Sequence, residues 1–125
     1  MTVFDLKDGF QYAMHGNGAY KGLRQTNTVD ALLYWYNKGI RVFEIDMAKT
    51  DDDQYVAVAH DLKDKSLRRL EIFNPPKNRT ADWFMQQKLF SVSTKGLKPL
   101  SLESICNILK DHQDIIIMLD LFGMF

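Results

Sequence analysis

The sequence predicts an α/β fold, on three observations. A strand, a helix and a second strand follow one another with short joints over residues 10–49, the order of a parallel pair with a right-handed crossover. A second amphipathic helix precedes a final run, residues 114–121, that is almost continuously apolar, as strands buried on both faces of a parallel sheet are. The 125 residues, 46% hydrophobic and 26% charged, suit one globular domain, residues 1–125, with one sizeable core.

The first strand covers residues 10–14 and runs into His15-Gly16-Asn17-Gly18, a glycine-rich loop that leaves His15 at the strand's carboxyl end. Asn27 or Thr28 then caps a helix whose apolar residues Val29, Leu32, Leu33 and Tyr36 keep the i, i+3, i+4, i+7 spacing, with Gly39 as its stop. Residues 40–49, rich in branched side chains, form the second strand and carry Glu44 and Asp46. The linker Thr50-Asp51-Asp52-Asp53-Gln54 is too short for a crossover, so residues 55–59 fold back as an antiparallel hairpin. If Thr50 faces Gln54, His60 lies opposite Glu44 and on its face.

Residues 62–98 lose this regularity and read as a long insertion or rim segment, with Pro75-Pro76 and a short helix over residues 80–90. Its aromatic residues Trp83, Phe84 and Phe90, at helical spacing, read as core rather than as a lipid contact. Ser101 caps the second good helix, with Glu103 in its first turn and Leu102, Ile105, Cys106 and Leu109 on one face. Cys106, the single cysteine, excludes an internal disulfide and reads as core filler.

Sixteen basic residues balance sixteen acidic ones, so no net field recruits nucleic acid or an anionic membrane, and an anionic substrate must be held by local charges. Residues 1–10 lack the pattern of a secretory signal, and no stretch approaches the ~20 apolar residues of a membrane span. The expectation is a soluble chain, cytoplasmic or extracytoplasmic after removal of a leader ahead of Met1.

Ionisable groups end the core strands: His15 on the first, Glu44 and Asp46 on the second, Asp120 on the last. In an α/β barrel the carboxyl ends of the strands line the active site. Side chains alternate along a strand, so Glu44 and Asp46 share one face while Phe43, Ile45 and Met47 face the helices. Two carboxylates this close repel each other unless a cation sits between them; with Asp120 as a third oxygen donor, the all-oxygen set favours Mg2+ or Ca2+ over zinc. His15 and His60, expected at the same end, titrate near neutral pH and can exchange protons there.

In their order and spacing, His15-Gly16-Asn17, Asn27-Thr28, Glu44-Ile45-Asp46, Thr50 to Asp53, His60-Asp61 and Pro99-Leu100-Ser101-Leu102-Glu103 resemble the motifs of the glycerophosphodiester phosphodiesterases, members of the phospholipase C-like barrels. The resemblance implies a TIM-type (β/α)8 barrel, and since a complete one takes ~250 residues, this chain would supply about half: the N-terminal part, with the hairpin as an extension and a long insertion. It also implies that Glu44, Asp46 and Asp120 hold one divalent cation and that His15 and His60 act as general acid and base. The reaction implied is hydrolysis of a phosphodiester to an alcohol and a phosphomonoester. A sphingomyelinase D-like enzyme shares this arrangement, and a noncatalytic phosphate- or sugar-binding domain is the reading from another class.

Three positions depart from the family's pattern. Gly16 stands where an arginine for the phosphate is usual, Thr26 replaces a glutamate before Asn-Thr, and Phe122 replaces a lysine two residues beyond the third acidic ligand. Two of these remove positive charge, and Asn17, Lys21 and Arg24 on the first loop are the candidate substrate contacts in their place. An open half barrel also leaves a sheet edge that invites self-association.

Overall fold

The computed structural model describes residues 13–122. Its elements follow in the order β1 (Ala13–His15), α1 (Val29–Asn37), β2 (Val42–Lys49), β3 (Tyr55–Ala57), α2 (Asp64–Arg69), α3 (Ala81–Met85), α4 (Ser91–Thr94), α5 (Leu102–Asp111) and β4 (Ile116–Phe122). This is a mixed α/β sheet structure, as the sequence predicts. Residues 10–12 of the expected first strand lie outside the described residues.

β2 is the centre of the sheet. β4 lies parallel along one edge of it from Val42↔Ile116 to Ala48↔Phe122, so β1 and β3 must share the other edge in tandem. β1 runs parallel there at Ala13↔Val42 to His15↔Glu44, and β3 runs antiparallel at Met47↔Ala57 to Lys49↔Tyr55. The hairpin register is the one expected, closed by Thr50 N–H donating to the Gln54 carbonyl at 2.8 Å.

The tandem arrangement corrects one expectation. In that register His60 would oppose Glu44, but His15 already occupies Glu44's edge through β1. The hairpin holds as far as Val58, whose N–H reaches the Asp46 carbonyl at 3.0 Å, and the chain then turns off at His60 with φ +78°. Two strands cannot pair with the same edge of the same residue, and the parallel pairing of β1 prevails.

Both faces of the sheet are covered at β2 and β3, by different parts of the chain. Phe43, Ile45 and Met47 pack with Leu32 of α1, Ile105 of α5, Ala57 and Leu100 in one cluster. Ala48, Val56 and Val58, on the opposite face, pack with Leu62, Leu67, Leu70, Ile72, Phe84, Leu89, Phe90 and Leu97 in a second. The 62–98 segment therefore brings its own apolar residues to the sheet, and Phe84 and Phe90 are core, as their spacing suggests. The helix expected over residues 80–90 is shorter, α3: Thr80 caps it through Trp83 N–H, Gln86 ends it, and Leu89 pairs instead with Leu97. Acidic residues of the hairpin turn fasten this segment, since the Asp51 carboxylate accepts the Arg79 N–H (2.6 Å) and Asp52 that of Ala81 (3.0 Å).

Local signals set the helix ends. Thr28 rather than Asn27 caps α1, accepting from Ala31 N–H at 3.3 Å. At its other end, Gly39 at φ +102° lets its N–H reach the Tyr36 carbonyl and that of Ile40 reach Trp35, the double bond of a glycine-terminated helix. In α5, Ser101 and Ser104 cap each other reciprocally, at 3.0 and 2.7 Å. Cys106, read as core filler, is exposed: the helix is turned so that Ile105, Ile108 and Leu109 meet the core, and Leu102 and Cys106 face outward. Burying two large aliphatic side chains removes more apolar area from water than burying one thiol. Among the described residues no helix is long and apolar enough to cross a membrane.

Candidate metal and acid-base site

β1 and β2 end their parallel pairing at His15 and Glu44, and the loop after His15 turns back over β2. Gly16 makes that turn possible. Its φ is +57°, a Cβ there would lie 2.6 Å from Gln25 Cβ, and its N–H donates to Glu44 Oε1 at 3.0 Å. The backbone thus forbids, at the first loop, the arginine that the family resemblance would place at this position.

Asn27 builds the other wall. Its Nδ2 donates to Asp46 Oδ2 at 3.2 Å, and its Oδ1 accepts the Asp46 backbone N–H at 3.0 Å, so one buried amide fixes the strand and its carboxylate together. Of the two candidate caps, Asn27 and Thr28, the structure gives the cap to Thr28 and frees Asn27 for this role, which the local pattern does not signal. Asn17 is fully buried, with its N–H on the Glu44 carbonyl (3.2 Å) and its Nδ2 on the Thr28 carbonyl (3.2 Å). It braces the loop against β2 and α1, and its Oδ1 is a buried acceptor with no partner.

His15, Glu44 and Asp46 each offer a ligand atom within 4.8 Å of the others. His15 Nε2 lies 3.8 Å from Glu44 Oε2. His15 is exposed and Asp46 is 9% exposed, so the group opens to solvent on the imidazole side. Asp120 is the parallel partner of Asp46 and shares its face, but it stands outside this trio. Of the expected set Glu44, Asp46 and Asp120, the structure brings the first two together with the His15 imidazole. His60 is not brought to the trio. It lines a separate hollow with residues of α2. Lys21 lies over the Tyr20 ring at 5.6 Å, and the Arg24 carbonyl receives the Arg69 guanidinium.

Burial pushes the Glu44 carboxyl above its ordinary range; the Gly16 N–H and His15 oppose this, while the Asp46 and Asp120 charges reinforce it. A carboxyl that holds its proton more tightly when folded favours folding at low pH, and that contribution disappears as pH rises through the raised value. In metal-free protein, Glu44→Gln should therefore gain in Tm relative to the parent as pH rises from below to above the carboxylate range. Parallel Tm-against-pH curves for the two proteins would refute the assignment of strain to Glu44.

No protein-family model and no curated protein matches this chain. Its chemistry must be read from these side chains. The donor set suits a divalent cation: two carboxylates and an imidazole converge, burial and the neighbouring Asp46 charge raise the Glu44 carboxyl, and the Asp46 carboxylate is held by Asn27 in the manner of an oriented ligand.

Proposed function

We propose that the chain is the N-terminal part, about half, of a TIM-type barrel phosphodiesterase, which hydrolyses a glycerophosphodiester to an alcohol and glycerol phosphate with one bound divalent cation. The observation that carries this reading is the convergence of His15, Glu44 and Asp46 where β1 leaves the sheet. Glu44 and Asp46 would hold Mg2+ or Ca2+, with Asp120 on the same face as a further oxygen donor. The cation, when bound, supplies positive charge to a nonbridging phosphate oxygen as negative charge grows there.

The chain's own residues provide the rest. Asn27 keeps the Asp46 carboxylate aimed, the Gly16 N–H fixes one Glu44 oxygen, and the exposed His15 imidazole can give or take a proton at Nε2. His60 completes an acid-base pair only if the segment after Val58 carries it toward the trio when substrate binds, since its strand leaves the sheet there. β4 exposes Ile116 and Met118 on the side that bears Asp120 and Leu119 on the other, an uncovered edge strand that suits pairing with further strands or with a second copy of the chain.

Gly16 favours a second reading, a noncatalytic phosphate-binding domain, because it leaves the first loop without the usual cation. Both readings are tested by one assay. Glycerophosphodiesters incubated with the protein and Mg2+ or Ca2+ should release phosphomonoester, chelation should stop the release, and His15→Ala should lower it by about 10²–10⁴-fold. Binding without turnover, unchanged in His15→Ala, would establish the noncatalytic reading instead.

A further inference from the structure

Beyond the trio, one hollow of the described molecule brings an arginine and two lysines together. A surface hollow of about 510 Å3 is lined by His60, Asp61, Lys63, Lys65, Ser66 and Arg69, three permanent cations against one carboxylate. That carboxylate is already engaged: Asp61 Oδ1 accepts the Lys63 N–H at 3.1 Å and the Ser66 hydroxyl at 3.0 Å, and Lys63 Nζ stands 3.9 Å from its Oδ2. Arg69 is held in place by one Nη2 bond of 2.8 Å to the Arg24 carbonyl. A guanidinium has five N–H donors, so this bond positions it and leaves a fork of donors for an anion.

The chain segments that line the hollow also run past the trio. His60 lies two residues beyond Val58, whose N–H bonds the Asp46 carbonyl, and Arg24 precedes Gln25, the residue packed on Gly16.

We infer that the hollow lined by Lys65 and Arg69 is a subsite for a phosphate ester group, placed to accept a second phosphate carried by the alcohol portion of the substrate. It rests on the proposed function for the substrate class alone; the binding of phosphate to the hollow stands apart from it. Lys65 and Arg69 supply the charge, Arg69 as a planar fork and Lys65 as a mobile ammonium, while Asp61 keeps the turn that presents them.

The test has two arms. In the first, inorganic phosphate is titrated into the full chain with chelator present. Saturable binding with shifts at Lys65 and Arg69 amides is expected, weakened about tenfold in Lys65→Ala and further in Lys65→Ala/Arg69→Gln. Absence of binding, or equal binding by parent and Lys65→Ala, overturns the subsite. Lys65→Ala keeps this arm decisive, because Lys65 is an exposed side chain and Arg69 also braces the first loop. In the second arm, Lys65→Ala should raise KM about tenfold for a glycerophosphodiester whose alcohol bears a phosphomonoester, and leave KM for one with a zwitterionic alcohol unchanged. Equal effects on both substrates overturn the role in substrate choice. Phosphate binding with no hydrolysis of either substrate removes the proposed function and leaves the anion subsite standing.

Discussion

Asp46→Asn should abolish saturable Mg2+ or Ca2+ binding at the trio and leave the fold intact. The substitution keeps the side chain's size and an oxygen that can accept from Asn27 Nδ2, and the backbone N–H bond to Asn27 Oδ1 does not involve the side chain at all. What it removes is one of two negative charges facing each other, the feature that makes a hard cation welcome there. Calorimetric titration of the cation, with circular dichroism to check the fold, reads both halves of this expectation. Undiminished cation binding in Asp46→Asn would place any metal elsewhere, and the phosphodiesterase reading would lose its support. In metal-free protein the same change relieves Glu44 of a like charge, so thermal stability should hold or rise.

The largest effect on folding is expected at Phe43. It is fully buried, one residue before Glu44, and sits in the cluster that joins β2 to α1 and α5. Truncation to alanine in such a site costs about 3–5 kcal/mol, from lost transfer energy and the cavity left behind. Domains of this size are held by roughly 5–15 kcal/mol in all, so Phe43→Ala should lose much of its cooperative urea transition. Denaturation curves read by tryptophan fluorescence would show this, since Trp35 is partly buried against the same cluster. A midpoint shift of only a few tenths of a molar, with unchanged slope, would mean that the two faces of the sheet do not depend on this layer.

These two residues illustrate why much of the site was readable. Alternation along a strand is a local property, so the division of Glu44 and Asp46 from Phe43, Ile45 and Met47 follows from spacing alone. Helix limits were equally local: Thr28, Gly39 and Ser101 act through bonds to residues three or four positions away. The hairpin register followed from the length of its five-residue linker.

Other features depend on competition among distant parts, which no local pattern records. His60 is turned away from Glu44 because β1 reaches that edge, a contest between segments separated by some forty positions. Asn27 could have capped α1 by its type; it holds Asp46 because Thr28 is closer to the helix start and β2 lies alongside. Cys106 and Leu102 follow the same periodicity as the core residues of α5, and only the sheet beneath the helix decides which stripe is buried.

The sequence by itself determined the α/β class, the strand that carries the two carboxylates and the face they share, because backbone geometry and side-chain period act within a few residues. The tertiary structure decided which groups join them: His15 at the trio, Asp120 on the same face but outside it, His60 in the cationic hollow with Arg69, and the 62–98 segment as a second core. Those outcomes are set by which chain segment wins a given sheet edge and a given apolar surface, and such exclusion exists only once the chain is folded in three dimensions.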